Sequence, residues 1–482
     1  MISHTRVSRR SVLRGVAGLV GSAAISSRDG LAQTGFISKR PAPSARRFRS
    51  NAVDAAIGSI AGRMRDPELA WLFSNCLPNT LDTTVSFMNG PAGPDTVVVT
   101  GDIPAMWLRD SSAQVWPYLP FLTADADLAR LIEGVIRRQT RCILTDPYAN
   151  AFMPDLSSGE PLSWSKTDHT EMKPGIGERK WEVDSLCYPV RLAHEYWRIT
   201  HDTRPFDAAW AHAMHSILET FTAQQRKTSR GPYNFQREAF SPYDTLSEDG
   251  YGNPARPLGL IYSGFRPSDD ACIYPLNIPG NFFALKTLER IEEMLAEIAH
   301  DSASASQASG LRTEIKSALD AHARIHHGSA GEILAYEIDG FGNALCMDDA
   351  NVPSLLAMPY LGTCSANDPL YQTTRRFVLS EANPYFFRGT AAEGIGGPHI
   401  GQDMIWPMSI IMRALTSSDE SEQRRCLTWL KTTHAGTGFM HESFHKNNPS
   451  KFTREWFAWA NTLFGELILT IDKTNPKLLE KG

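Results

Sequence analysis

The chain contains no Cys-x-x-Cys pair, and its seven cysteines, Cys76, Cys142, Cys187, Cys272, Cys346, Cys364 and Cys426, are widely scattered. This excludes a zinc knuckle and a thioredoxin-type motif, and the odd count excludes complete internal pairing. Basic runs are absent beyond residue 50, and the formal net charge is -5. Both argue against a nucleic-acid partner. No segment after the first thirty residues is long and apolar enough to span a bilayer. No repeat of fixed period is visible, which speaks against a solenoid. What remains is an ordinary globular composition of 482 residues, 42% hydrophobic and 21% charged. That length allows several domains or one large barrel.

The N-terminus does not read as fold. Ser8-Arg9-Arg10-Ser11-Val12-Leu13-Arg14 is basic, Val16 to Ile25 is a short apolar run, and Gly30-Leu31-Ala32 offers small residues for cleavage. The pattern resembles a bacterial twin-arginine export signal, which carries proteins already folded. The alternative is a disordered terminus with a chance Arg-Arg. On the first reading residues 1–32 are a leader and 33–50, rich in Pro and Arg, a linker. The mature protein is then periplasmic and free of the membrane. The leader has no cysteine, so a lipoprotein anchor is not expected.

From residue 51 helical patterns dominate. Leu128, Leu131, Ile132, Val135 and Ile136 recur at helical spacing. Similar faces run through 51–64, 66–76, 184–200, 206–222, 282–300, 311–325, 369–379, 402–415, 420–433 and 455–471. Thr83 to Phe87 and Thr96 to Thr100 are β-branched runs around Asn89-Gly90-Pro91, which predicts a hairpin. Strands and helices do not alternate regularly, so a parallel sheet is not expected. Several connections are long and rich in Gly, Pro, Asp, Trp and Tyr: 147–180, 230–281, 331–359, 383–401 and 436–454. Long ordered loops in a compact domain usually carry function. Helix pairs with such loops at one end describe an all-α (α/α)6 toroid with a pocket at its mouth.

The stretch Thr100 to Leu119, TGDIPAMWLRDSSAQVWPYL, sets Asp102, Arg109 and Asp110 among Trp107, Trp116 and Tyr118. It is turn-like at Gly101 and Pro104 and turns helical from Asp110, with Asp110, Ser111 and Ser112 as candidate caps. An Arg–Asp pair can bond vicinal hydroxyls while a ring stacks on a pyranose face. The plainer reading is a helix cap beside core tryptophans. In Trp181-Glu182-Val183-Asp184-Ser185, the stretch alone favours Asp184 as an N-cap; the other reading of two carboxylates beside a tryptophan is a general acid, since burial raises a carboxyl pKa.

Arg266-Pro267-Ser268-Asp269-Asp270 and Met347-Asp348-Asp349-Ala350-Asn351 each place paired acids before a predicted helix and read well as caps. Neither has EF-hand spacing. Gly394 to Gly401 is glycine-rich without phosphate-loop spacing and reads as a turn presenting His399, after which Gln402 and Asp403 are candidate caps. His441-Glu442-Ser443-Phe444-His445 matches H-E-x-x-H, which as a zinc site needs both histidines on one helix face. Gly436, Gly438 and Asn447-Asn448-Pro449 argue against a helix there. A loop glutamate activating water directly is the other reading.

Taken together, GDIPAMWLRDSSAQVWPYL, WEVDSLCYPV, GGPHIGQDMIWPMSI and HESFHKNNPSKFTREWFAWANTLFGELI resemble glycoside hydrolase family 125 over about residues 67–469. The resemblance implies an (α/α)6 catalytic domain over 51–482. It implies a metal-independent, inverting exo-α-mannosidase that needs no cofactor and acts on non-reducing-end mannose of glycans, chiefly through α-1,6 links. By position, Asp184 would be the general acid and Glu442 the general base. Trp107, Arg109 and Asp110 would line the sugar pocket, with Arg266, Gln402, Asp403 and His441 as further pocket residues. Composition alone leaves open a glucoamylase-like exo-glucosidase on the same barrel, and the zinc-hydrolase reading through His441 and His445. Inversion requires the two carboxyls roughly 6.5–9.5 Å apart. Positions 184 and 442 meet only if early and late helices are neighbours around a closed ring.

Overall fold

A computed structural model describes residues 35–91, 93–238 and 241–480. The twin-arginine stretch around Arg9 and Arg10 lies outside the described residues. The helices in chain order are α1 (Asn51–Arg63), α2 (Pro67–Cys76), α3 (Asn79–Thr83), α4 (Leu108–Val115), α5 (Ala126–Thr145), α6 (Val183–Thr200) and α7 (Ala208–Gln224). They continue as α8 (Ile278–Glu297), α9 (Ser302–His322), α10 (Pro369–Val378), α11 (Pro407–Leu415), α12 (Glu420–Thr432) and α13 (Ala458–Thr474).

These helices form an (α/α)6 toroid. Helices α4, α6, α8, α11 and α13 belong to the inner ring, and each packs on an outer partner. The pairs α4–α5, α6–α7, α8–α9 and α11–α12 are sequential hairpins. The last inner helix, α13, packs on α2 from the other end of the chain, and α13 also touches α4, so the ring closes across the termini. The fourth inner place is taken by consecutive turns over 354–362. Pro353 and Pro359 deny that stretch two N–H donors. Instead the buried Asp348 carboxylate accepts from Leu355 and Leu356 N–H at 2.8 and 2.9 Å. Its outer partner is α10, whose Tyr371 hydroxyl donates to the Leu356 carbonyl at 2.9 Å.

Local chemistry explains the elements. Asp125 caps α5 by accepting from Leu128 N–H, and the predicted stripe Leu128, Leu131, Ile132, Val135 and Ile136 is buried. Asp66 caps α2, with Pro67 at its first position. The predicted hairpin forms from antiparallel Val85–Gly90 and Gly93–Val98. It lies flat on α5 at Gly134, where a Cβ would come within 2.3 Å of Thr96 Oγ1. Residues 35–50, read above as a linker, are docked on the domain. Arg40 pairs with both Asp54 and Asp82 at 2.7 Å, and Ser50 caps α1. All seven cysteines are free thiols. No helix among the described residues is long and apolar enough to cross a membrane.

Several expected boundaries shift, and most shifts fall at the mouth. Helix α4 starts at Leu108, before the Asp110 expected to cap it; Ser111 and Ser112 hydroxyls donate back to the Leu108 carbonyl. Helix α6 starts at Val183, so Asp184 lies inside its first turn and caps nothing. No helix opens at Gln402; Met404–Ile405 is a strand and α11 begins at Pro407. The 266–270 acids sit in a turn, and α8 is capped by Asn277 instead.

Candidate active site

The starts of the inner helices meet at one end of the toroid. A Cβ on Gly280, at the start of α8, would come within 2.6 Å of Val183 at the start of α6. Arg109 at the start of α4 reaches Asp184 at the start of α6. Its guanidinium lies 6.0 Å from the ring centroid of Trp459, at the start of α13. Phe457, capping α13, faces Trp406, capping α11, with ring centroids 6.1 Å apart. Helix N-termini carry partial positive charge, so an acid-rich mouth is favoured there.

Short strand pairings hold the first wall. Trp107 pairs with Ala151, and Ala151 with Glu178. Leu108 N–H donates to the Asn150 carbonyl at 3.0 Å. These bonds fix the backbone so that Arg109 points inward. Its Nη1 lies 2.5 Å from Glu182 Oε2 and 3.2 Å from Asp184 Oδ2. Its Nε lies 3.5 Å from Asp110, and its Nη2 is 3.6 Å from Asp269. Asn150 Nδ2 donates to Glu178, Glu182 and Asp269 at 3.2–3.3 Å. Glu182 and Asp184 are 0% and 1% exposed.

Four carboxylates therefore surround one guanidinium away from water. They cannot all be ionised at low cost. Burial raises the Asp184 pKa against the opposing pull of Arg109, and burial likewise drives Glu182 upward. Asp110 is pushed up to about 6, again chiefly by burial, with Arg109 opposing. A carboxyl that keeps its proton near neutrality is what general-acid chemistry requires.

The second wall is the segment around Glu442. Met440 N–H donates to Asn461 of α13 at 2.7 Å, and Phe457 N–H donates to the Met440 carbonyl at 2.9 Å. Ser443–His445 continues as a strand between Met404–Ile405 and Asn448–Thr453. Arg454 Nη1 lies 3.6 Å from Glu442. Arg454 Nη2 donates to the Thr100 carbonyl at 3.1 Å and also pairs with Asp102. Gly101 lets that loop close, since a Cβ there would lie 3.1 Å from the Trp456 ring and its φ is +114°. Arg454 also acts electrostatically on Asp110. Arg109 thus joins Asp184 to Asp110 on one wall, and Arg454 joins Glu442 to the 100–102 loop on the other, close enough to lower the Asp110 pKa against its burial.

The other predicted residues are placed less uniformly. His441 stacks on Phe452 with ring centroids 3.9 Å apart, and its Nδ1 bonds the Glu455 carbonyl at 2.7 Å. Its Nε2 is buried without a hydrogen-bond partner, and burial lowers its pKa. Trp107 belongs to a small apolar cluster with Ala105, Ala151 and Leu162. Arg266 is committed to Glu337 in a buried two-point pair at 2.5 and 3.0 Å, where it shapes the 266–270 turn. Gln402 is exposed, and Asp403 pairs with Lys446 at 2.7 Å. These last three are not gathered with the carboxylate cluster. Arg454, Asn150 and Trp459 were missed from the sequence: no motif marks Asn150, and nothing sets Arg454 and Trp459 apart from their neighbours in the stretch His441 to Ile468. Asp270, seen as one of a paired-acid run, bonds His399 Nδ1 at 3.1 Å. That turn and the glycine-rich loop therefore meet.

The zinc reading fails on geometry. Ser443–His445 is extended strand, so His441 and His445 do not share a helix face. Among the described residues no three His, Cys, Asp or Glu side chains are arranged so that they could hold a metal ion.

A helical toroid whose inner helix starts gather buried carboxylates around an arginine defines an (α/α)6 glycoside hydrolase. A family-78 rhamnosidase from Bacillus sp. GL1 shares that fold, with TM-score 0.51 and 12% identity over 86% of this chain and 35% of its own. The chain belongs to glycoside hydrolase family 125, the metal-independent α-mannosidases, whose pattern matches residues 66–469. A solved metal-independent α-mannosidase from Streptococcus pneumoniae, in a non-productive complex with α-1,6-mannobiose, is 42% identical with a TM-score of 0.84. The match covers 89% of this chain and 100% of that one. The meiotically up-regulated gene 157 protein of Schizosaccharomyces pombe is also 42% identical, over 92% of this chain and 90% of its own length.

Proposed function

We propose that the protein releases mannose from the non-reducing ends of α-1,6-linked glycans with inversion of configuration. Asp184 serves as general acid and Glu442 as general base. The observation that carries this reading is the contrast between the two carboxylates. Burial favours the protonated form of Asp184 against the opposing pull of Arg109, and Asp269 adds to it. Glu442 hangs on a separate wall and touches Arg454. An acid on one side protonates the leaving oxygen, and a base on the other draws a proton from water attacking the opposite sugar face. The α-1,6-mannobiose in the Streptococcus relative supports the linkage.

In this reading Arg109 and Asp110 bond hydroxyls of the terminal mannose beside Trp107. The free Nε2 of His441 meets a hydroxyl near Glu442. Arg266 acts indirectly by fixing the 266–270 turn, and Gln402 and Asp403 belong to the rim. The test is hydrolysis of α-1,6-mannobiose with chelator present, followed by proton NMR. β-Mannose appearing first supports the whole reading. α-Mannose appearing first overturns inversion, and no release overturns the linkage.

The basic, apolar and small-residue order of residues 8–32 supports export of the folded enzyme to the periplasm through the twin-arginine route. Replacing Arg9 and Arg10 with lysines should hold the full-length precursor in the cytoplasm. Unchanged export would refute this.

A further inference from the structure

Glu182 and Asp184 present their carboxylates to the same nitrogen of Arg109, but not on equal terms. Glu182 takes the shorter contact, 2.5 against 3.2 Å. Glu182 also accepts from Ser185 Oγ at 3.1 Å and from Asn150 Nδ2 at 3.3 Å. Asp184 has no other side-chain donor among the described contacts. Three side-chain donors converge on Glu182 and one on Asp184, whose carboxylate also accepts from its own backbone N–H, while the Asp269 carboxyl lies in hydrogen-bond contact with Glu182. Donors stabilise the ionised form of the group that receives them, and a fixed anion nearby disfavours ionisation of the next carboxyl.

We infer that Glu182 is a positioning residue: held as the anion by Arg109, Ser185 and Asn150, it keeps Asp184 protonated as the proton donor of the reaction. The inference rests on Asp184 being the general acid. The ionisable groups facing Asp184 are Arg109 and Asp110 from α4, Glu182 from the start of its own helix, Asp269 from the 266–270 turn, and Cys187 and Tyr188 one turn along α6. Arg454 stands behind Asp110. Among the described residues Arg109 is the cation bonded to both Glu182 and Asp184, so whichever carboxylate holds it more tightly decides where the proton stays. Burial drives both carboxyls upward, Glu182 the more strongly with Asp269 and Asp184 adding to it, which favours a proton held on the pair. The donor count assigns that proton to Asp184. When Asp184 gives it to the leaving oxygen, Arg109 at 3.2 Å is already in place to stabilise the new anion.

The test is the pH profile of kcat/KM on α-1,6-mannobiose for wild type, Glu182→Gln and Glu182→Asp. Gln keeps the shape but removes the anion and releases Arg109 to Asp184. The alkaline limb, which reports loss of the proton from the acid, should then move to lower pH by about one unit or more. Asp at 182 keeps the charge and should restore most of the shift. A Glu182→Gln profile lowered uniformly, with its alkaline limb unmoved, would overturn the inference and leave Glu182 as scaffold. If Glu182→Gln does not fold, infrared spectra of wild type labelled with 13C at aspartate or glutamate carboxyls decide the matter. A protonated-carboxyl band at pH 7 that shifts with aspartate label and is lost in Asp184→Asn supports it. A band that shifts only with glutamate label overturns it. The parent reading is tested separately: Asp184→Asn should be inactive on mannobiose yet cleave α-mannosyl fluoride, whose leaving group needs no proton. Loss on both substrates would remove Asp184 as the acid, whatever Glu182 does.

Discussion

Arg454 approaches Glu442 to 3.6 Å with one nitrogen while the other grips the Thr100 carbonyl at 3.1 Å. A residue near the C-terminal end of the chain thus ties the Glu442 wall to the loop that introduces Arg109. Replacing Arg454 with Met keeps bulk over Phe457 but removes both ties. Glu442 and the 100–107 loop should then drift apart. Misplacement on the scale of 1 Å costs about a hundredfold in rate. The expected outcome is kcat for mannobiose down by about that factor with KM changed much less. An unchanged kcat would show that Glu442 is held by its own segment alone.

Asp184→Asn tests the opposite wall. The amide fits the same space, so far-UV circular dichroism and mannobiose binding by calorimetry should persist. Loss of a general acid costs about 10²–10⁴-fold in kcat for a poor leaving group. Turnover within tenfold of wild type would mean another group donates the proton.

How much of this was legible in the chain depends on the kind of contact. The α5 stripe was readable because five apolar residues at helical spacing report one buried face, and the hairpin because turn residues separate two β-branched runs. The toroid was readable because helices alternate with long loops. The helix starts at the mouth were not. Asp110, Asp184 and Gln402 look like caps, yet α4 and α6 start earlier and α11 starts later. Their side chains answer to Arg109 or the rim, and tertiary ion pairs override local capping preference. Arg454 was invisible for the same reason: its partners, Thr100 and Glu442, come from distant parts of the chain.

The H-E-x-x-H pattern shows how far a motif depends on its backbone. His445 lies in a strand and its Nδ1 accepts from Asn447 N–H at 3.2 Å, while His441 is locked against Phe452. His445→Ala should leave kcat/KM within about twofold, since a surface substitution away from the machinery changes little. His441→Ala should lower it by tenfold or more. Prolonged dialysis against a chelator should leave activity intact. Parallel loss on chelation and in His445→Ala would revive a metal mechanism.

Asp110 gives the site a cost in stability that varies with pH. In the fold its pKa is raised from its ordinary 3.8 to about 6, chiefly by burial. The folded state therefore binds more protons than the unfolded chain between those values, so stability falls as pH rises through that window. Below it Asp110 is neutral in both states and costs nothing extra. Above it the full cost is present. Asp110→Asn should accordingly raise Tm at pH 8 by up to about 3 °C, and the gain should vanish by pH 3.5. Activity should fall at both pH values, because Asp110 pairs with Arg109 in the proposed sugar pocket. Differential scanning calorimetry across pH 3.5–8 checks the sign. A gain that persists at pH 3.5 would trace to packing, and a lower Tm at pH 8 would mean that the pairing with Arg109 outweighs the burial of the charge.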